Sequence, residues 1–302
     1  MFKRVILSSF IVFSSLIADS VMVSPEFGKI SYDNDIAKSI KDSSNIIGIK
    51  ADIENEYYLV ELYGDYIDTS YKDSNLTADK NLVQSDIVAK YTGKFETSAF
   101  SIGLHYLYSD ESEQNRDLGK GLIGMIGMET YLWPYFDRLT FGIEVYYSAY
   151  MKGYDEVLKS ELVLVDIAQF TPYFVYDSEI TNYKHNKLMI KANYVRAGQY
   201  IDKNYISFEV SDLYTYYDLS LELLYFGGEM KSGVTDSLLI VRNNKDLMKN
   251  GFSVKLGYQI LPELSVSGYY RSDSFNEYNR FTRTYNDESK SSEFKIMASY
   301  HF

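Results

Sequence analysis

The sequence has no cysteine among its 302 residues. This absence excludes disulfide bonds, thiolate nucleophiles and cysteine-based metal sites at once. Proline is scarce, with four residues, and no stretch after the N-terminus approaches the roughly 20 consecutive apolar residues of a membrane-spanning helix. The fold is therefore held by non-covalent contacts alone, and a bundle of membrane helices is not expected.

Positive charge is also scarce. The chain carries 30 basic and 42 acidic residues, and loss of Lys3, Arg4 and Asp19 with a signal peptide leaves 28 and 41, a net charge near −13. Binding to nucleic acid needs a basic face that neutralises phosphates. We therefore expect no nucleic-acid partner.

The N-terminus contains the three regions of such a secretory signal peptide in order. "MFKR" supplies a positive start, "VILSSFIVFSSLI" an apolar core, and "ADS" small residues at its first and third positions. We expect cleavage after Ser20, so that residues 1–20 are the signal and residues 21–302 the mature protein. No domain boundary or low-complexity linker follows, so one exported domain is predicted.

Aromatic residues and period-two alternation are abundant. Tyrosine (31), phenylalanine (17) and one tryptophan make up 16% of the chain, and aromatics favour strands. In "LTFGIEVYYSA", Leu139, Phe141 and Ile143 lie on one face, while Thr140 and Glu144 lie on the other. The stretches "FSIGLHYLY", "DLSLELLYF", "GFSVKLGYQI" and "LSVSGYYR" behave alike. A period of two predicts strands, because successive side chains point to opposite faces.

About fourteen strands are predicted, and twelve remain possible because the first two are the weakest. Their spans are 26–33, 45–53, 57–69, 83–94, 97–109, 120–132, 137–150, 160–176, 186–199, 204–214, 217–227, 250–260, 263–272 and 292–302. Short and long connections alternate, which places short turns at one rim and long loops, including 227–249 and 273–291, at the other. Two exceptions are "DSEITNYKHN" at a short-turn position and the brief "QYIDKN" at a long-loop position.

Three features indicate that the apolar face meets lipid and not the core of a soluble sandwich. Many predicted strands have ten residues or more, as a tilted membrane strand needs, whereas ordinary strands have about five or six. Aromatics cluster at the strand ends, near Trp133 and Tyr216 at short turns and near Tyr106 and Tyr147 toward the long loops, like the girdles of a membrane barrel. The opposite face carries charges. Because no open sheet edge can lie in lipid, we predict an all-β, closed antiparallel transmembrane barrel.

The chain ends within a strand pattern, "FKIMASYHF", with Phe294, Ile296, Tyr300 and Phe302 on one face. This ending resembles the terminal strand of bacterial outer-membrane β-barrel proteins of the porin-like kind. The resemblance implies a location in the Gram-negative outer membrane, in contact with its lipids. It also implies that this strand closes the barrel against the first one, and that its aromatic end is recognised by the barrel-assembly machinery.

The charged face of the strands predicts the lining of a lumen. The pore-lining candidates are Glu61, Asp65, Lys90, His105, Glu144, Lys191, Glu209, Glu222, Lys255 and Arg271. With Asp86, Glu129, Lys50 and Lys295, the assigned lumen has seven acids against six bases. The first hypothesis is a porin-like channel for passive diffusion of small hydrophilic solutes, in which lumen charge and width set selectivity. The alternative is a non-conducting structural or surface-interaction barrel that acts through its extracellular loops. Whether the lumen is open or plugged, and whether the protein is a monomer or a trimer, stay open.

No cofactor, metal or enzymatic activity is predicted. "GKGLIG" at Gly119–Gly124 has the spacing of a dinucleotide loop but lacks the helix that must follow it. The acidic loop "SDESEQNRD" lacks the spacing of a calcium-binding loop. His105 shares a strand face with Ser101, as a barrel hydrolase would require, but no fuller constellation accompanies them. His105 is therefore expected to be an ordinary lumen residue.

Overall fold

The computed structural model describes residues 19–72, 82–111, 119–133, 137–152, 165–181, 183–197, 204–231, 233–234, 246–279 and 284–302. These ranges contain fourteen β-strands and no helix, and none of their segments meets the length and hydropathy that a membrane-crossing helix requires. In chain order the strands are β1 Ser20–Tyr32, β2 Lys41–Glu54, β3 Tyr58–Tyr71, β4 Leu82–Lys94, β5 Ser98–Glu111, β6 Gly119–Trp133, β7 Asp137–Lys152, β8 Val165–Thr181, β9 Lys184–Ala197, β10 Asn204–Tyr216, β11 Leu219–Lys231, β12 Leu247–Leu261, β13 Leu264–Asn279 and β14 Thr284–His301.

The strands form one closed antiparallel barrel. Each strand pairs with the next along the chain, and β1 pairs with β14, where Phe27 lies opposite Ile296 and Val23 opposite Tyr300. The last residue continues this seam, because the Phe302 N–H donates to the Val21 carbonyl at 2.9 Å. The predicted fold class, the count of fourteen and the closure by the terminal strand are confirmed, and the alternative of twelve strands is wrong.

Alternation along the strands separates an apolar outside from a polar inside. Large apolar side chains are the exposed ones, among them Ile206 (68% exposed), Ile87 (62%) and Ile296 (56%). The residues between them, such as Asp65 and Glu209, are buried inside the barrel. A closed barrel with an apolar exterior is suited to lipid, since closure leaves no backbone group unpaired at an edge.

Several strands extend beyond their predicted spans. Most of the loop predicted at 273–291 is a hairpin of β13 and β14, and parts of the predicted 227–249 loop belong to β11 and β12. Beyond the membrane both faces of a strand are wet, so polar residues there lose the alternation that marks the spanning part. The predicted irregularity at "DSEITNYKHN" is wrong, because β8 ends at Thr181 and β9 begins at Lys184, directly opposite. "QYIDKN" and the predicted signal up to residue 18 lie outside the described residues, while Ser20 opens β1 opposite Glu54.

Two prolines interrupt the ladder from within strands. Between the pairs Phe170–Tyr194 and Tyr173–Lys191, β8 and β9 have no paired residues, at Pro172. The β1–β14 seam has the same gap at Pro25. Proline carries no N–H and cannot donate to the ladder. At this level β8 and β9 are joined on the inner face by a side-chain hydrogen bond from Thr171 to Asn193, at 2.9 Å.

The first long connection, residues 33–40, is held against the long-loop rim. The Ile40 N–H donates to a carboxylate oxygen of Glu277 at 2.8 Å, and Lys41 pairs with the same carboxylate at 3.7 Å. The Lys41 ammonium also lies 5.5 Å from the ring centre of Tyr32 and 5.9 Å from that of Phe275. These contacts join the connection to β13.

Candidate functional site

The inner face of the barrel collects all ten predicted lumen residues. Glu61, Asp65, His105, Glu144, Lys191 and Glu209 are buried there, and Lys90, Glu222, Lys255 and Arg271 are half-buried. The ladder pairs several of them directly on this face: Glu61 with Lys90, Lys191 with Glu209, and Glu222 with Lys255. The terminal-strand residues Phe294, Ile296, Tyr300 and Phe302 point outward and are about half exposed.

One side of the lumen is a dense network of ion pairs on β13, β14 and β1 to β4, here called the charged sector. Its pairs are Lys50–Asp52 (2.8 Å), Lys50–Glu61 (3.5 Å), Lys90–Glu61 (3.5 Å), Lys295–Glu26 (3.6 Å), Lys295–Glu293 (3.1 Å) and Arg271–Asp273 (2.7 Å). Sequence reasoning missed Glu26, Asp52, Asp273 and Glu293 as lumen residues. Each occupies an inward-facing position of the alternation, as judged from an assigned lumen residue on its own strand or on the paired strand. They were missed because the alternation is weak near the predicted strand ends.

His105 belongs to a buried network next to this sector. Its Nε2 lies 2.7 Å from Asp86 Oδ1, and both side chains are fully buried. The Asp86 N–H donates to Asp65 at 3.2 Å, and the Tyr63 hydroxyl donates to the other oxygen of Asp65 at 2.9 Å. Ser101, the nucleophile that a hydrolase would need, instead lies 2.9 Å from the Thr92 hydroxyl. His105 thus lies fully buried in the inner wall against Asp86, and Ser101 is engaged elsewhere.

The opposite side of the lumen, on β8 to β10, carries a cluster of uncharged polar groups beside the Lys191–Glu209 ladder pair. The Gln169 amide, the Thr171 hydroxyl and the Asn193 amide are hydrogen-bonded to one another across the gap at Pro172. Asn193 Nδ2 in turn donates to Glu209 Oε1 at 2.6 Å. We call Gln169, Thr171, Asn193 and Glu209 the amide cluster. None of these four side chains is more than 3% exposed.

An apolar cluster fills part of the lumen beside the amide cluster. Its members come from nine strands and one connection: Tyr63, Val88, Ile123, Met125, Tyr146, Ile167, Val195, Tyr205, Phe226, Met230, Val234, Leu247 and Met248. Val234 is the member outside the strands, since it follows the end of β11 at Lys231. The beginning of the β11–β12 connection therefore enters the barrel, which no local sequence pattern indicated.

The absence of a side chain at Gly233 lets the connection enter the barrel at a closely packed point. A Cβ at Gly233 would lie 2.7 Å from Met230 Sδ and 2.9 Å from Gln169 Oε1. Both distances are shorter than a carbon atom tolerates. A larger residue at position 233 would have to shift Met230 and Gln169, so glycine lets the segment reach the buried position of Val234 without disturbing them.

Two further inner residues are less tightly held. Glu222 and Lys255 are ladder partners, yet among the described residues neither forms an ion pair.

His185 lies at the short-turn rim. It contacts Asp177 through Nε2 and lies 3.4 Å from the Thr215 hydroxyl through Nδ1. The described residues include no group of three or more histidine or acidic side chains arranged to hold a metal ion.

No family model matches the chain, and no curated protein matches it. Solved structures do. A monoaromatic hydrocarbon channel, CymD, aligns over 95% of this chain and 90% of its own with a TM-score of 0.55 and 9% identity. A mutant of the monoaromatic hydrocarbon channel TodX aligns over 93% and 89% with a TM-score of 0.50 and 10% identity. CdiB from Acinetobacter baumannii aligns over 93% of this chain but 60% of its own, with a TM-score of 0.51 and 8% identity.

At these identities the similarity establishes the fold. The chain is a bacterial outer-membrane β-barrel: fourteen strands close on themselves, the outer face is apolar, and the similar structures include two named as monoaromatic hydrocarbon channels. The predicted resemblance and location are confirmed.

Proposed function

We propose that this barrel is a passive channel for small molecules that combine an apolar part with polar groups. The observation that carries the proposal is the apolar cluster inside the lumen, which Val234 joins from the β11–β12 connection. A lumen built only for hydrophilic solutes has no need of buried Phe226, Met230 and Met248. The names of CymD and TodX as monoaromatic hydrocarbon channels support the same direction.

The two sides of the lumen suit such a solute in different ways. An apolar part that leaves water gains free energy against the apolar cluster. Polar groups lose hydration in the lumen and need partners, which the amide cluster and the charged sector supply. Movement follows the concentration gradient, because no described residue group suggests coupling to an energy source.

Diffusion of small hydrophilic solutes is the second candidate. The ion pairs of the charged sector and the less tightly held Glu222 and Lys255 favour it, because they offer a wet path along one wall. A non-conducting barrel that acts through its surface loops is the third, and it predicts a folded protein without ion current.

The test is single-channel recording of residues 21–302 refolded into planar bilayers. We expect stable current steps that benzyl alcohol blocks in a saturable way and that glucose leaves unchanged, with protein-free bilayers as the control for each addition. Steps that are insensitive to benzyl alcohol would favour hydrophilic diffusion. A folded barrel that never conducts would overturn the channel.

A further inference from the structure

The side chain of Gln169 binds the main chain of Val234 at both of its polar groups. The Val234 N–H donates to Gln169 Oε1 at 2.8 Å, and Gln169 Nε2 donates to the Val234 carbonyl oxygen at 2.9 Å. One side-chain amide thus recognises the donor and the acceptor that flank a single α-carbon. The two residues are 65 positions apart in sequence.

The amide cluster sets the orientation of Gln169. Glu209 accepts from Asn193 Nδ2 at 2.6 Å, so Asn193 Oδ1 faces Thr171, whose hydroxyl donates to it at 2.9 Å. Gln169 Nε2 lies 3.3 Å from the same Oδ1, which makes this nitrogen the inward donor and leaves Oε1 to accept. The carboxylate of Glu209 therefore fixes, through Asn193, which end of the Gln169 amide donates and which accepts.

Burial makes this recognition selective. Gln169, Thr171, Asn193 and Glu209 are at most 3% exposed, and the Val234 side chain, also 3% exposed, belongs to the apolar cluster. A buried amide left without partners costs free energy, so the site disfavours a ligand that cannot donate and accept together. Apolar surface beside the amide favours a ligand with an apolar side chain.

We propose that Gln169 and the amide cluster form a binding site for N-acylated amino acids or short peptides with an apolar side chain, and that Val234 occupies this site as an internal stand-in. Such a ligand presents the same N–H and C=O on either side of an α-carbon that Val234 presents. The inference rests on the proposed channel function, because such a ligand is a transported substrate only if the barrel is a channel. Passage then requires the ligand to replace Val234 on Gln169.

The experiment measures equilibrium binding of N-acetyl-L-valinamide to the refolded mature barrel by calorimetry. Its N-methyl analogue, which lacks the N–H that Gln169 Oε1 accepts, is the matched ligand control. We expect saturable binding of the first, and binding of the analogue weaker by about tenfold or more, the worth of a hydrogen bond and an unpaired buried acceptor.

Two variants separate ligand from stand-in. Gly233→Ala places a methyl group 2.9 Å from Gln169 Oε1, displaces Val234 and should tighten ligand binding several-fold, because the internal competitor is weakened. Gln169→Leu also frees Val234 but removes both hydrogen bonds, and should abolish the preference for the N–H ligand. Gly268→Ala, where a Cβ meets nothing within 4 Å, should bind as the unaltered protein does.

Equal binding of the two ligands, or a preference that survives Gln169→Leu, would overturn the proposal. If the leucine variant does not fold, Gln169→Glu replaces it, because glutamate keeps the acceptor and the side-chain size but loses the amide donor. An unchanged affinity of the Gln169→Glu variant for N-acetyl-L-valinamide would also overturn the proposal. Selective binding by a barrel that never conducts keeps the site and rejects the channel, whereas current without selective binding keeps the channel and rejects the site.

Discussion

At the scale of residues, glycines of the inner wall leave room for side chains that reach across strands. The Tyr173 ring covers Gly142 on the neighbouring strand and its hydroxyl donates to Glu129 on the strand beyond, at 2.7 Å. At Gly48 the space is filled by Glu26 instead: a Cβ there would lie 2.7 Å from the Glu26 carboxylate, which accepts from the Tyr63 hydroxyl two strands away from it. In both places the missing side chain of a glycine leaves room for a hydrogen bond between a tyrosine and a carboxylate two strands apart.

Gly142→Ala should therefore destabilise the barrel. The new Cβ would lie 2.1 Å from Tyr173 Cζ, so the ring must leave its place and its bond to Glu129, at a cost of about 1–3 kcal/mol. Urea unfolding in lipid vesicles, followed by fluorescence of the single tryptophan, measures this loss. Gly124→Ala is the control, because its Cβ meets nothing within 4 Å. Equal stability of the two variants would refute the role given to Tyr173.

His105→Ala should lower the free energy of unfolding by about 3–5 kcal/mol, since it leaves the fully buried Asp86 carboxylate without its histidine partner. The same urea titration measures the change. His301→Ala, at a half-buried position near the C-terminus, should cost under about 1 kcal/mol. A loss at His105 as small as that at His301 would contradict a structural role for the buried pair.

At the scale of elements, the seam between β1 and β14 is the closure on which the whole barrel depends. Pro25 interrupts its ladder, and the neighbouring Ser24 and Ser299 hydroxyls bond at 2.7 Å on the inner face. The seam ends at Phe302, whose ring packs 4.8 Å from that of Tyr300 on the outer face. The last residue thus completes both the ladder and the aromatic end of β14.

Phe302→Ser should reduce the amount of folded barrel in the outer membrane of cells that express it, because we propose that the assembly machinery recognises the aromatic end of β14. The measurement is the fraction of heat-modifiable protein in outer-membrane preparations on gels. Ile296→Ser, on the same outer face but inside the strand, is the matched control. If Ile296→Ser lowers assembly as much as Phe302→Ser does, the effect reflects lost apolar surface and not recognition of the end.

At the scale of the whole molecule, the lumen is asymmetric and acidic. Ion pairs line the side formed by β13, β14 and β1 to β4, the amide cluster lies on the opposite side, and the apolar cluster extends from β3 to β12. Among the described residues, eight carboxylates are buried (Glu26, Glu61, Asp65, Asp86, Glu144, Glu209, Glu277 and Glu293) against two lysines, Lys191 and Lys295. The buried groups of the inner face therefore carry an excess of negative charge, which should favour cations.

The channel should accordingly prefer cations over anions. In a potassium chloride gradient we expect a reversal potential of the sign for cation selectivity, and it should shrink at about 1 M salt because screening shortens the reach of the wall charges. Glu222→Gln should lower the preference and Lys255→Gln should raise it, since the two oppose each other on neighbouring strands. Anion selectivity, or equal shifts in the same direction, would contradict this account.

Much of this architecture follows from local sequence. Alternation in stretches such as "LTFGIEVYYSA", strand lengths above ten residues and the aromatic ending predict a closed membrane barrel, because a period of two and a span length are properties of one strand in one solvent. The same parity placed Glu61, Lys191 and Glu209 on the inner face. Strand ends were less predictable, because outside the membrane both faces are wet.

The contents of the lumen depend on which strands face one another around the closed barrel. Gln169 meets Val234, Tyr173 meets Glu129, and Tyr63 meets Glu26, and each partner lies on another strand or connection. No local pattern encodes these meetings, since register, strand order and the missing side chains of glycines decide them together. Composition and the period of two thus determine that the chain forms a barrel wall with lipid outside and polar groups inside. Only the closure of the barrel decides that ion pairs line one side of the lumen and that an apolar cluster fills part of it.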